Sequence, residues 1–249
     1  MFSMTLINGE RGRHMMTLED LFLFVPSNAV CRKIIIQKYP SGVESRWDVF
    51  YDEHNNEVCN FCTSDILKDE RINPSSLRNS PDFVETSYIY NADGTIAART
   101  VRSWDTVRTY RFEYEDKKVI RESLDETDVT VYENDDHGNP IKEHHYVEGT
   151  FLHTDDNEYT YDDKGRITHK INKNRMWTEH VTQTWYEYDE RGNVAGIRKL
   201  IGEATSPSYQ KFIYDDDDRM VKEEYYMGNG KLISDTFYEY ETVDMTLAE

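Results

Sequence analysis

Three groups of side chains in this sequence are of types that bind metals or transfer protons. The first is the pair Cys59 and Cys62, with Cys31 and His54 as further candidate zinc ligands. Phe61 lies between the two thiols and indicates a strand, not the tight turn of a zinc hairpin. Because successive side chains of a strand alternate between faces, the two thiols point apart. We therefore expect inert, reduced cysteines and no metal site here.

The second group is the adjacent pair His144 and His145, together with His153. Adjacent residues of a strand face opposite ways, so at most one of the pair can join His153. Imidazole is a common metal ligand and also a common surface group. We interpret these three as surface imidazoles.

The third group is a set of carboxylates concentrated in short polar segments: Asp135-Asp136, Asp155-Asp156, Asp162-Asp163 and Asp215-Asp216-Asp217-Asp218. Calcium needs several convergent oxygens, and these segments lack the spacing of a known calcium loop. They are typical of solvated turns. Nucleophile elbows, Walker loops, dinucleotide fingerprints and zinc-protease motifs do not occur either. We predict a protein that is not an enzyme, without catalytic, metal or cofactor-binding residues.

The amino-acid composition indicates the kind of fold that carries these side chains. Of 249 residues, 37% are hydrophobic, 31% are charged and 13% are aromatic, including 18 Tyr and 10 Phe. The chain is too polar for a thick core, yet richer in aromatics than a disordered chain. Tyrosine buries its ring while its hydroxyl reaches water or a partner. A thin fold with amphipathic faces fits this composition.

Charge and apolar runs bear on partners and location. The 48 Asp and Glu outnumber the 29 Lys and Arg, giving a formal charge of −19. Such a charge disfavours nucleic acid and anionic membranes and would admit cationic partners, although we interpret it first as a solvated acidic surface. Three cysteines do not make a disulfide framework, and no apolar run reaches the length of a membrane span. The run Leu21–Val25 follows two acids instead of a basic segment, so a signal peptide is not indicated and we expect a cytoplasmic protein.

The order of patterns along the chain predicts three regions. Residues 1–16 lack periodicity and are expected to be a flexible leader. Residues 17–84 form a divergent segment that caps one end of the fold and contains a degraded first repeat. Its start, Thr17-Leu18-Glu19-Asp20, resembles a helix N-terminus, and Pro26 would end that short helix. A strand through Leu21–Val25 is the alternative. Residues 85–249 form a repeat array.

The array is defined by an anchor position, usually tyrosine, that is followed by a polar turn. Successive anchors are 24, 20, 27, 27, 26 and 26 residues apart: Tyr90, Tyr114, Asn134, Tyr161, Tyr188, Tyr214 and Tyr240. A period in this range marks a repeat architecture. Each period has room for two strands and two connections.

The residue types within one period predict a hairpin. In each Tyr-x-Tyr pair the two rings fall on one face of a strand. The acids that follow suit a turn, and Gly94, Gly138, Gly165 and Gly192 supply a positive φ at little cost. Asp218 occupies the glycine slot of the sixth copy, and Asp tolerates that conformation. The return strand is expected to begin two residues after that slot, at Ile96, Pro140, Ile167, Val194 and Met220.

Two of these copies carry a family resemblance. Tyr161-Asp162-Asp163-Lys164-Gly165-Arg166-Ile167 and Tyr188-Asp189-Glu190-Arg191-Gly192-Asn193-Val194 resemble the YD repeat of the Rhs family. The resemblance covers roughly residues 85–240, with a fainter extension to 48–60. It implies tandem hairpins in a twisted or spiral sheet. Large members form a hollow β-shell, which this chain is too short to close.

These patterns together predict an all-β antiparallel meander of tandem hairpins. We expect a binding or scaffold protein that presents an extended surface to a protein partner, with pairing of edge strands as a route to a homodimer. Carbohydrate is the alternative ligand, since aromatic faces stack on sugars; its candidate residues are Trp47, Trp104, Trp177 and Trp185. Because the pattern recurs along the chain, we interpret its anchor tyrosines as core positions and its acids as turn residues. Any site should therefore lie where the rhythm is broken, near residues 54–82 or 135–157.

Overall fold

The computed structural model describes residues 28–62, 83–174 and 180–242. These residues form sixteen β-strands and, within the described ranges, no helix. The strands are Cys31–Lys38 (β1), Glu44–Tyr51 (β2), Glu57–Cys62 (β3), Val84–Tyr90 (β4), Ile96–Ser103 (β5), Thr106–Glu115 (β6), Lys118–Leu124 (β7), Asp128–Asn134 (β8), Pro140–Val147 (β9), Thr150–Tyr161 (β10), Ile167–Asn174 (β11), His180–Tyr188 (β12), Val194–Ile201 (β13), Ser208–Tyr214 (β14), Met220–Tyr226 (β15) and Leu232–Thr242 (β16). The five return strands begin at the residues that the repeat predicts.

The sheet closes on itself. Each strand pairs antiparallel with its neighbours in the chain, and β1 pairs with β16 over eight residues, from Cys31 opposite Thr242 to Lys38 opposite Asp235. The prediction of an antiparallel meander is confirmed, whereas a twisted or spiral sheet is wrong, because the meander closes into a barrel. Strand tilt and twist let sixteen strands complete a barrel.

Closure gives each described strand two neighbours and leaves little free edge; a homodimer through edge strands stays a prediction. The shortest seam is that between β3 and β4, where only Cys59–Glu85 and Asn60–Val84 are paired. The predicted helix after Thr17 lies outside the described residues. None of the described residues belongs to a helix long and apolar enough to cross a membrane.

Alternate hairpins turn at opposite ends of the barrel. We call one end the aspartate rim, since its hairpins carry the repeated acid turns. In the turn between β10 and β11, Asp162 Oδ1 accepts the amides of Lys164 and Arg166 at 2.9 Å, and Arg166 Nε donates to Asp162 Oδ2 at 2.7 Å. Gly165 has φ 76°. The Asp and Arg of the repeat therefore hold their own turn.

The sixth copy shows that the glycine slot requires a positive φ but not glycine itself. Asp218 occupies it with φ 60°, and Asp215 Oδ1 accepts the amides of Asp217 and Arg219 at 3.0 and 2.9 Å. Asp and Asn are among the few non-glycine residues that adopt positive φ readily. The predicted role of Asp218 is confirmed.

The anchor tyrosines link each hairpin to the preceding one. Every hairpin at the aspartate rim has a register shift just before its anchor, as between Glu187 and Tyr188. Four anchor hydroxyls donate to the carbonyl at the start of the previous return strand, at 2.8–3.0 Å: Tyr114 to Ile96, Tyr188 to Ile167, Tyr214 to Val194 and Tyr240 to Met220. Asn134 Nδ2 donates to Val119 in the same way at 2.8 Å. Tyr90 and Tyr161 donate instead to Asp52 and Asp135 in the preceding turn. This tyrosine ladder explains the period of the sequence.

The ladder lies on the inner face of the barrel. In β4, Thr86 is buried and Tyr88 and Tyr90 are half-buried, whereas Ser87 and Ile89 on the other face are exposed. Side chains on the concave face of a barrel crowd one another, which identifies the tyrosine face as the interior. Extensive contacts between described strands occur only between hydrogen-bonded neighbours, so opposite walls do not pack together.

The outer wall is covered with charged pairs that join neighbouring strands. Arg121 lies 2.7 Å from Glu113, and Arg198 lies 2.6 Å from Glu187. Further pairs are Lys142–Glu133 at 3.2 Å and Lys222–Asp235 at 3.0 Å.

The largest fully buried side chains among the described residues lie on the outer face of β1–β3 and just before β4. Phe50, Phe61 and Phe83 are almost fully buried there, with ring centroids 5.8 and 6.1 Å apart. The same face buries the ion pair of Arg32 with Asp48, in which Arg32 Nε donates to Asp48 Oδ1 at 2.6 Å.

Candidate functional site

The predicted tryptophan positions do not form a common face. Trp47 lies half-buried on the inner face of β2, and Trp104 is exposed in the turn after β5. Trp185 lies on the outer face of β12, where it stacks on His169 with centroids 4.9 Å apart. Trp177 lies outside the described residues. The three described tryptophans, Trp47, Trp104 and Trp185, thus lie on different parts of the barrel.

The repeat positions are structural. Tyr161 donates its hydroxyl to Asp135, and Asn139 Nδ2 donates to Tyr161 at 2.8 Å. Gly94, Gly138, Gly165 and Gly192 all have positive φ. The side-chain bond from Arg166, together with backbone bonds, lowers the pKa of Asp162 below its usual value. The acids of these turns are engaged with their own hairpins.

The cysteine positions follow strand alternation. Cys59 lies opposite Phe50 and Cys62 lies opposite Trp47, so the two residues fall on different faces of β3. His54 stacks on Tyr90 at the aspartate rim, with centroids 4.8 Å apart. An open depression of about 350 Å³ lies beside this pair and is also lined by Asp52. Tyr90 donates to Asp52 Oδ2 at 3.2 Å, so these polar groups satisfy one another.

The histidines of β9 and β10 form a cluster on the inner wall. His145 lies directly opposite His153, and their rings stack with centroids 4.3 Å apart and planes 17° from parallel. Asp155, two residues beyond His153, faces the same way and is 9% exposed. Its Oδ2 lies 3.5 Å from His145 Nε2, and its Oδ1 lies 3.7 Å from His153 Nε2. We call these three residues the histidine cluster.

A β-bulge creates this cluster. The register of β10 against β9 shifts between Phe151 and His153, which leaves Leu152 as an extra residue. The bulge places His153 opposite His145 and sends Asp155 inward. Bulges often re-aim side chains at functional sites. The interpretation as surface imidazoles missed this, because a bulge of one residue has no clear sequence signal.

Strand alternation nevertheless predicted that at most one of the two adjacent histidines can join His153. His144 faces outward, with Nε2 2.9 Å from Glu133 and Nδ1 2.9 Å from Thr154 Oγ1. The cluster also falls within residues 135–157, one of the two places where the broken repeat predicts a site.

Large apolar side chains gather at the end of the barrel opposite the aspartate rim. Eight exposed members lie at or next to the turns of this end, each 42–60% exposed: Val43, Trp104, Val107, Val147, Phe151, Leu152, Ile201 and Met227. We call this set the apolar rim. Acids lie between them, including Asp105, Glu126 and Glu148. Such a gathering is typical of an interaction surface.

Comparisons with known proteins concern the fold alone. No protein-family model and no curated protein matches the chain. Among solved structures, it is similar to a porin-like protein from Bacteroides vulgatus ATCC 8482, with 12% identity and a TM-score of 0.49, over 84% of this chain and 97% of that one.

Two further solved structures have lower scores. A porin-like protein from Bacteroides uniformis ATCC 8492 is 8% identical with a TM-score of 0.33, over 87% of this chain and 97% of that one. A candidate lipoprotein from Parabacteroides distasonis ATCC 8503 is 12% identical with a TM-score of 0.26, over 88% of this chain and 98% of that one.

These findings correct two predictions. The assignment to the YD-repeat family is wrong, because the sheet is a closed barrel and the similar structures are porin-like proteins and a candidate lipoprotein. The strand-turn-strand unit is present, but its repetition closes a ring instead of extending a spiral. The cytoplasmic location is contradicted by the same likenesses.

Proposed function

We propose that this protein is a non-catalytic binding protein that holds a cationic, apolar polypeptide segment at its apolar rim. The observation that carries the proposal is the position of the exposed apolar side chains. Eight of the large ones lie at one end of the barrel, while the other end is made of aspartate turns.

The chemistry of the rim indicates the partner. Trp104 and Phe151 project large rings that a partner can cover, and aromatic residues dominate binding energy at interfaces. The acids between them, within a chain of charge −19, favour a partner that combines Lys or Arg with large apolar residues. Among the described residues, the outer wall has no comparable gathering of exposed large apolar side chains away from this end.

A peptide array tests the proposal. The panel contains cationic-apolar, acidic-apolar and cationic-polar peptides, and hits are measured by fluorescence anisotropy at low and high salt. Cationic-apolar peptides should bind selectively and more weakly at high salt, since charge attraction is screened. Trp104→Ser and Phe151→Ser should each weaken binding at least about tenfold, the usual cost of removing a central interface residue.

Ile89→Ser is the matched control. Ile89 is 65% exposed but lies on the outer face of β4, away from the rim. The control should leave affinity unchanged. Equal loss in the control, or equal binding of acidic-apolar peptides, contradicts the proposal.

A second candidate function is carbohydrate binding inside the barrel. Each even-numbered strand from β4 to β16 places one half-buried aromatic ring in the same row of the inner wall. These residues are Tyr88, Phe112, Tyr132, Tyr159, Tyr186, Phe212 and Tyr238. Partly accessible rings stack on sugar faces. A glycan array with Tyr186→Ser as the comparison variant tests this alternative, and a silent array contradicts it.

A further inference from the structure

The histidine cluster is a constellation that the proposed binding at the rim does not use. It consists of His145 on β9 and of His153 and Asp155 on β10. One ligand atom from each residue lies within 4.8 Å of the others. We propose that this cluster binds a divalent transition-metal ion, with zinc as the reference ion.

The ligand set has the composition of a transition-metal site. Two imidazoles and one carboxylate provide three protein ligands and leave coordination positions for water. Two ligand atoms on a tetrahedral zinc ion lie roughly 3.3 Å apart, given bond lengths of about 2.0–2.1 Å. His145 Nε2 lies 3.5 Å from Asp155 Oδ2 and His153 Nε2 lies 3.7 Å from Asp155 Oδ1, so each imidazole already lies near one oxygen of the carboxylate. A rotation of the stacked imidazoles brings their nitrogens toward the same point.

The cluster contains buried polar atoms without hydrogen-bond partners. These atoms are His145 Nε2, His153 Nδ1 and Asp155 Oδ1, one on each residue. Buried polar groups in folded proteins nearly always have a partner, so three such atoms in one place call for a ligand. A metal ion satisfies His145 Nε2 and Asp155 Oδ1 together with one nitrogen of His153.

The surroundings orient the ligands. His145 Nδ1 lies 3.1 Å from Thr130 Oγ1 on β8, which fixes the ring and leaves Nε2 to face the cluster. Asn174 Nδ2 on β11 donates to Asp155 Oδ2 at 3.1 Å, which leaves Oδ1 to face it. Such supporting bonds to the outer atoms of ligands are a regular feature of protein metal sites.

The local charge also favours a cation. Asp155 lies directly opposite Glu143 on the inner face, and like charges in that position repel each other. Within the described part of the chain, Asp155 has ion-pair partners only in the two histidines. A divalent cation among these groups compensates the carboxylates.

Metal titration of the tag-free protein tests the proposal. After treatment with a chelator and its removal, zinc binding is measured by competition with a chromophoric chelator, and cobalt binding by visible absorption. One zinc ion per chain and a cobalt spectrum of low coordination number are expected, with magnesium unable to compete. Absence of stoichiometric zinc or cobalt binding to the unmodified protein overturns the proposal without recourse to variants.

Substitutions locate the ion. His145→Gln, His153→Gln and Asp155→Asn should each weaken zinc binding at least about 100-fold, and Thr130→Val should weaken it about tenfold. His144→Gln is the matched control, because His144 is adjacent in sequence but faces outward beside Glu133. Circular dichroism establishes that each variant is folded.

The result for His144→Gln shows whether zinc binds at the histidine cluster or at histidines on the outer surface. If His144→Gln weakens zinc binding as much as His145→Gln, the ion is held elsewhere and the proposal is overturned. The rim variants Trp104→Ser and Phe151→Ser should bind zinc normally, so failure of peptide binding and failure of metal binding are separate results.

Discussion

Removing one hydroxyl from the tyrosine ladder should destabilise the barrel by a defined amount. Tyr188 donates to the Ile167 carbonyl at 2.8 Å, across the boundary between two hairpins. Tyr188→Phe keeps the ring and removes only this bond. A neutral hydrogen bond contributes about 1 kcal/mol net, so we expect a loss of that size. For a chain of this length, that corresponds to a melting temperature lower by roughly 2–4 °C.

The double variant Tyr188→Phe, Tyr214→Phe sharpens the test. The two residues lie on β12 and β14, two strand spacings or roughly 10 Å apart, so their effects should add to about 2 kcal/mol. The assay is urea denaturation followed by circular dichroism. Tyr209→Phe is the control, because Tyr209 is on the outer face and its hydroxyl lies 3.5 Å from Glu187. If the control loses as much as Tyr188→Phe, the ladder does not stabilise the fold.

The remaining predictions concern pH, the turn and the buried ion pair. Burial, with the hydrogen bond to a carboxylate, raises the pKa of Tyr161 to about 12. Its folded pKa exceeds the unfolded value of about 10, so this contribution to stability is present below pH 10 and is lost between pH 10 and 12; tyrosinate absorbance and circular dichroism should change together. Gly165→Ala should cost about 1–2 kcal/mol because φ is 76°, whereas Asp218→Gly should change the unfolding free energy by less than about 0.5 kcal/mol. Arg32→Met leaves the carboxylate of Asp48 buried without its partner and should cost about 3–5 kcal/mol in urea denaturation.

A specific result would contradict each of these three predictions. A barrel that unfolds well below pH 10 refutes the assignment of alkaline loss to buried tyrosines. Equal costs for Gly165→Ala and Asp218→Gly contradict the role of positive φ. Arg198→Met breaks an exposed pair with Glu187 and should cost less than about 1 kcal/mol. A similar loss for Arg32 and Arg198 argues against the buried pair.

Local structure could be predicted from the sequence because its causes are local. The glycine or aspartate at positive φ, the acids that bond to their own turn and the apolar first residue of each return strand all act within one hairpin. Asp218 in the glycine slot is the clearest example. Residue spacing alone sufficed to place these features.

Closure and the candidate site depend on information that is not local. Pairing of β1 with β16 joins Cys31 to Thr242 and follows from the accumulated twist of sixteen strands. The side-chain period predicted that His144 and His145 diverge, but the bulge at Leu152 decides what His153 meets. The apolar rim escaped notice because its members belong to different turns far apart in sequence.

Closure of the barrel is the claim on which the assignment of inner wall, outer wall and rims depends, and a disulfide tests it directly. The native Cys31 lies opposite Thr242 in the β1–β16 pair. Directly opposed residues of antiparallel strands have Cα atoms about 4.5–5.5 Å apart, within the range that a disulfide spans. Burial raises the pKa of the Cys31 thiol, so oxidation is best catalysed in alkaline buffer.

The measurement is peptide mapping of Thr242→Cys after oxidation in dilute solution, with Glu241→Cys as the outward-facing control. A closed barrel predicts a disulfide within one chain between residues 31 and 242 in Thr242→Cys, and little of it in the control. In an open sheet, sixteen strands spaced about 4.8 Å apart would hold these residues roughly 70 Å from each other. Thiols that stay reduced, or that link only between molecules, would contradict the closed barrel.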